Sequence, residues 1–166
     1  SGIDECVVAP GTFHETINFL GKAITLRSSG GADVTTIDAT GINGSVVTCG
    51  SGEGPHTILD GFTIISGTGT TLDAQTYGGG MYNDHSSPTV RNCTFDGNTG
   101  NHGSGMYNAH SSPTVTNCAF SGNNANPGEG CGMRNHASSP TVTNCTFRGN
   151  TCSYAGGGML NSVSNP

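Results

Sequence analysis

Tryptophan is absent from the 166 residues, and aromatic side chains make up only 6% of them. With 32% hydrophobic residues in all, a conventional globular core would be thin. Charged residues are scarce as well, at 10%, which argues against a solvated disordered chain, because such chains are rich in charge. The cations number five, Lys22, Arg27, Arg91, Arg134 and Arg148, against a net charge of −6. A surface that tracks phosphates needs more, so nucleic acid is not an expected partner. No run of about twenty apolar residues is present, so no helix is expected to span a bilayer. CxxC pairs are missing too, which speaks against zinc, and no cofactor is expected. The opening stretch "SGIDECVV" carries no export signal and leaves the compartment open.

What the chain has instead is glycine, 28 residues of it, together with a repeat. Met81, Met106, Met133 and Met159 follow one another at intervals of 25, 27 and 26 residues. Pro88, Pro113 and Pro140 keep step, as do Cys93, Cys118 and Cys145, and Phe95, Phe120 and Phe147. Length changes fall in "GNTGNHGSG" and "GNNANPGEGCG", where loops tolerate them. Each repeat holds short β-like pieces, "GMYN", "PTVRN" and "CTF", and no amphipathic helical window. A repeat of this size is too short for a propeller blade and lacks the leucine pattern of horseshoe repeats. Three short strands and three corners predict an all-β fold, a single-stranded parallel β-helix whose coils stack about 4.8 Å apart.

The step from Val90 to Cys93 to Phe95 locates a corner. Cys93 and Phe95 share a face, but Val90 and Cys93 are three apart, which breaks strand alternation and demands a bend. At the bend stand Asn92, Asn117 and Asn144, with Gly61 in the same column. Asn and Gly most readily take a left-handed backbone, so this column predicts an αL corner, with the amides hydrogen-bonded along their own ladder. Met, Val, Cys and Phe then face inward.

The N-terminal part is predicted to have wider coils over residues 1–78, followed by regular coils over 79–166 within one domain. "CVVA" and "SVVT" take the place of "GMYN", "AITL" and "GFTI" that of "CTF", and "TTID" around Ile37 adds a strand. Four to five coils follow, a rod about 20 to 25 Å long. Because the repeat breaks off after "GGGMLNSVSNP", the chain reads as a fragment of a longer solenoid, or as a natural end covered by a partner. Open coil ends are surfaces for end-to-end or lateral self-association.

Cys93, Cys118 and Cys145 are expected as free thiols in the core. Cys131 and Cys152 take loop positions in neighbouring turns, which allows a bridge and equally two free thiols, and Cys6 and Cys49 are left unassigned. His85 and His110 recur in register, but His136 is shifted by one residue, which spoils a metal column and makes these exposed turn residues. Asn92 and Asn144 each open an Asn-X-Thr triplet, read as coincidence because a glycan at such a corner would disrupt the fold.

"FDGN", "FSGN" and "FRGN" match the FxxN repeat, and "GGGM", "GSGM" and "GGGM" resemble its companion GGA-I/L/V repeat. Together they resemble the polymorphic outer-membrane protein type of repeat, and more broadly the bacterial right-handed parallel β-helix proteins of the pectate-lyase-like superfamily. "VVAPGTFHETINFLGKAITLRSSGG" is similar to the opening coil of such proteins. The resemblance implies right-handedness and a bacterial, secreted or cell-surface location. It leaves lyases, hydrolases, epimerases, adhesins and autotransporter passengers all open as functions. Met in place of the usual aliphatic residue, and only three FxxN units, are departures from the pattern.

Catalysis on a polysaccharide would need two carboxylates across the scissile bond, or a Ca²⁺-holding acidic cluster with a basic residue. Asp60 and Arg91 are the candidates, one acid and one base in one outward column, and a plain surface ion pair is the competing reading. For binding, Tyr82 and Tyr107 are expected to point outward, followed in their column by Arg134 and Leu160, as a stripe for a sugar face. Thr114/Thr116 and Thr141/Thr143 resemble the Thr-x-Thr rows of insect ice-binding solenoids, a row that Arg91 interrupts. The sequence thus predicts a non-catalytic structural, adhesive or carbohydrate-binding module whose partner is a polysaccharide or cell-surface glycan. A polysaccharide lyase or hydrolase fragment is the alternative, and ice binding a remote one.

Overall fold

The computed structural model describes residues 4–163 and shows a parallel β-solenoid of six coils. The first sheet stacks Asp4–Val8, Ile24–Ser28, Ile58–Asp60, Thr89–Arg91, Thr114–Thr116 and Thr141–Thr143. The second stacks Gly11–Phe13, Thr35–Asp38, Thr63–Ile65, Thr94–Asp96, Ala119–Ser121 and Thr146–Arg148. The third stacks Ile17–Asn18, Val47–Cys49, Met81–Asp84, Met106–Ala109, Met133–His136 and Met159–Ser162. Two small additions sit between the second and third sheets. One is an antiparallel hairpin, Thr70–Leu72 with Gln75–Tyr77, and the other a parallel pair, Asn124–Ala125 with Thr151–Cys152.

Six coils exceed the four to five expected, because the first strands lie in other sheets than their likeness to the later repeats suggests. Asp4–Val8, which contains most of "CVVA", pairs with Ile24–Ser28 in the first sheet, so "AITL" is no counterpart of "CTF". "TTID" is no insertion but the ordinary second-sheet strand of its coil, paired with Thr63–Ile65. These strands keep the inward alternation but carry Leu and Ile instead of the Met, Cys and Phe that mark the later coils, and long corners hide their period. "SVVT" and "GFTI" lie as expected, beside Met81–Asp84 and Thr94–Asp96.

The inward columns are as read. Phe95, Phe120 and Phe147 stack with ring centroids 4.8 Å apart at each step, near the strand spacing. Val90, Val115, Cys93 and Cys118 join them in one buried cluster with Met81, Met106 and Met133. Cys93, Cys118 and Cys145 are free thiols, whereas Cys131 and Cys152 are bridged. A contact from Cys145 draws the Cys118 thiol down, but Cys93 and burial outweigh it and push the pKa up to about 12, so the Cys118 thiol is chemically quiet.

Asn92, Asn117 and Asn144 have φ of 54°, 54° and 52°, and Gly61 has 79°, which places a left-handed corner where the broken alternation required one. Asn117 donates to Asn92 Oδ1 at 3.3 Å, and Asn92 donates onward to Asp60 Oδ1 at 2.7 Å. Two further ladders run inside the coil. Asn83, Asn108, Asn135 and Asn161 are linked amide to amide at 2.8, 2.8 and 2.7 Å. Asn98, Asn123 and Asn150, the last residues of each FxxN unit, are linked at 3.1 and 2.9 Å and also hold strand carbonyls such as Ile64 O and Phe95 O. The buried amides thereby find partners, as burial of a polar group requires, except at the end of one ladder, where Asn83 Oδ1 has none among the described residues.

Candidate functional site

Asp60 lies in register between Arg27 and Arg91, on the outer face of the first sheet. Its carboxylate accepts from Arg91 Nε at 2.9 Å and from the Asn92 amide, while Arg27 turns to Glu5 at 2.6 Å. Both in-register neighbours of Asp60 are cations, so its column supplies no second carboxylate for glycoside hydrolysis. The pair has the geometry of the surface ion pair weighed as its competing reading.

The tyrosine stripe is not exposed. Tyr82, Tyr107 and Arg134 follow one another in register on the outer face of the third sheet, as expected. Yet Tyr82 retains 8% and Tyr107 7% of its accessible surface. Tyr77, from the hairpin, packs on Tyr107 with centroids 4.9 Å apart and on His102 at 5.0 Å. Single parallel bridges join Tyr77 to His102 and His102 to Glu129, so the corner loops form a lid over the aromatics. Arg134 closes it: Nη1 meets Glu129 Oε1 at 2.5 Å and also His102 Nδ1, with the guanidinium 6.0 Å above the Tyr107 ring. Burial, then Arg134, lower the pKa of His102 against the pull of Glu129. Burial first of all pushes Tyr82 up to about 12. These side chains staple loops to the sheet, and the stripe offers no open face to a sugar ring.

His85 and His110 occupy left-handed corner positions and stack with centroids 4.8 Å apart, but Ala137 takes that position in the next coil and His136 meets His110 edge-on at 6.0 Å. Among the described residues, no group of three or more His, Cys, Asp or Glu side chains is placed to hold a metal ion. Glu53, passed over in the sequence, is buried at the corner between the third and first sheets. Burial alone would raise its pKa, but the Gly21 and Ser51 amides and the Ser86 hydroxyl outweigh it and hold the carboxyl below its ordinary value. With its oxygens so engaged, Glu53 is a corner clasp.

An open groove of about 460 Å³ runs along the corner between the first and second sheets. Its floor is the exposed amides of Asn92, Asn117 and Asn144 beside Thr94, Ala119 and Thr146, the same two columns repeated over three coils. The segment Gly30–Asp33 rises as a wall, pinned where Thr63 Oγ1 donates to Ala32 O at 2.8 Å. Gly61 takes the Asn column in the coil beside the wall, where a Cβ would lie in ordinary contact with Gly31 Cα at 3.4 Å. Apart from Asp33 in the wall, the lining is uncharged. The individual corner residues were legible in the sequence, but the wall that makes them a groove was not.

A parallel solenoid with three stacked sheets and ladders of like residues defines the class of β-helix proteins. Residues 13–165 match the family model described as right handed beta helix region, and the chain belongs to that family, which fixes the hand of the coil as right. No curated protein and no solved structure matches the chain.

Proposed function

We propose that the protein is a non-catalytic, adhesive β-helix module of a secreted or cell-surface bacterial protein that holds a neutral glycan chain in the groove of Asn92, Asn117 and Asn144. One observation carries this reading: a corner amide recurs along the groove at three successive coils, with the hydroxyls of Thr94 and Thr146 beside the outer two and Ala119 beside the middle one, so a linear polymer lying along the axis meets an amide at each step. The groove replaces the buried tyrosines as the binding face. The Cys131–Cys152 bridge supports an oxidising, extracytoplasmic compartment.

The test is affinity electrophoresis through soluble xylan, mannan, galactan and β-glucan, with an assay for new sugar ends, both with and without Ca²⁺. Asn117→Gly with Asn144→Gly removes two amides while keeping the left-handed corners. Retardation of the wild type by at least one polysaccharide, weakened about five-fold or more in the double variant, is the expected result, worth about 1 kcal/mol by the affinity relation. Undiminished retardation of the variant removes the groove from the reading. Sugar-end release lost in Asp60→Ala makes the protein an enzyme.

A further inference from the structure

A second polar cavity lies at a different corner, between the second and third sheets, and shares no lining residue with the groove. Its volume is about 230 Å³, and Thr68, Thr76, Thr99, Asn101, Asn124 and Asn126 surround Gly100 in its wall. The inner part is rigid. Thr76 donates to Asn101 Oδ1 through its amide and hydroxyl at 2.9 and 3.0 Å, and Asn101 N donates back to Thr76 Oγ1 at 2.9 Å. The Asn101 amide is held in turn by Pro127 O at 2.8 Å.

The rim keeps hydrogen-bonding capacity to spare. Thr68 Oγ1 accepts from Gly44 N at 3.0 Å, which leaves its proton to donate. Asn126 Oδ1 accepts from Ser153 Oγ at 2.8 Å, which leaves its NH₂ group. Thr99 Oγ1 donates to Gly67 O at 3.3 Å and keeps its lone pairs. The Asn124 side chain has no hydrogen bond within the described residues.

No charged side chain lines this cavity, so an ionic ligand would lose hydration without compensation. No aromatic or large aliphatic side chain lines it either, so an apolar ligand gains nothing. Donors and acceptors on a neutral frame suit a neutral polyol. The cavity has half the volume of the groove, which suits a single sugar unit better than a chain. We infer that this cavity is a second carbohydrate site, taking a single neutral sugar unit, and that the rod is bivalent. The inference rests on the glycan-binding reading of the groove, and bivalency would let one rod bridge two chains.

Turbidity of the wild type mixed with the same four polysaccharides reads bridging, and electrophoretic retardation reads binding. Thr99→Val with Asn124→Ala removes two of the four polar rim side chains of the second cavity without touching the groove. The expected result is turbidity in the wild type, at least ten-fold less in this variant, with retardation retained. Adding it to Asn117→Gly and Asn144→Gly removes the remaining retardation. Wild-type retardation without turbidity, unaltered by Thr99→Val and Asn124→Ala, overturns the second site and leaves the groove standing. Loss of all retardation in the cavity variant alone, with the groove variants binding normally, keeps the cavity as a sugar site and overturns the groove and bivalency. No retardation of the wild type by any of the four overturns both. Equal melting temperatures establish that each variant is folded.

Discussion

Asn108 has no exposed surface and is held on both sides, accepting from Asn83 Nδ2 and donating to Asn135 Oδ1, each at 2.8 Å. Replacing it with Ala removes the acceptor of the buried Asn83 amide and the donor to Asn135 Oδ1. Each such loss at a buried group costs about 1–3 kcal/mol, so Asn108→Ala is expected to lower stability by about 2–6 kcal/mol in urea unfolding. A midpoint equal to the wild type would mean that the ladder bonds are not formed in solution. At this scale the sequence was only half readable. The Asn92 corner followed from a three-residue step that no strand permits, a signal contained within one coil. Asn83 and Asn98 gave no such signal, because an Asn in a Gly/Asn-rich repeat has the look of a turn residue. Its burial is favourable only when another Asn stacks on it, and that partner lies one coil away.

Among the elements, the inward strands of the regular coils were legible because their spacing repeats, and the lid over Tyr82 and Tyr107 was not. The lid is made of corner segments whose lengths differ from coil to coil, so no period announces that Tyr77 and His102 come to rest on the tyrosines. The lid is sensitive to acid. His102 binds its proton less readily in the folded protein than when unfolded, because it is buried beside Arg134. As pH falls below the ordinary histidine value of about 6.5, the unfolded chain takes up the proton first. Stability is therefore full above that value, declines below it, and levels off once the folded protein is protonated too. Glu53 and Asp38, both held below the ordinary carboxyl value, contribute stability that is lost only in a more acidic range. The melting temperature is expected to fall as the pH drops below about 6.5, and His102→Gln, which cannot charge, is expected to flatten that fall. An equally steep fall in His102→Gln would assign the effect to other groups.

Over the whole molecule, each coil touches only its neighbours, so stability is a sum of coil and interface terms. Phe120 is sandwiched between Phe95 and Phe147 without exposed surface, whereas Phe147 is only partly buried. Phe120→Ala is expected to cost about 3–5 kcal/mol and to raise hydrogen exchange in the coils on either side. Phe147→Ala should cost less and confine its effect to the last coils. Equal effects at both positions would show that the rod unfolds as one unit. A different consequence follows from where the chain changes length. The stretches from Arg91 to Thr94, Thr116 to Ala119 and Thr143 to Thr146 are identical in length, and so are those from Asp84 to Thr89, Ala109 to Thr114 and His136 to Thr141. All variation among these coils enters after Asp96, Ser121 and Arg148, on the side of the second cavity. Two edges of the rod work as a fixed spine, while the third is a margin that can be rewritten one coil at a time. Selection, or an engineer grafting a foreign peptide there, can alter what the molecule recognises without renegotiating how it folds.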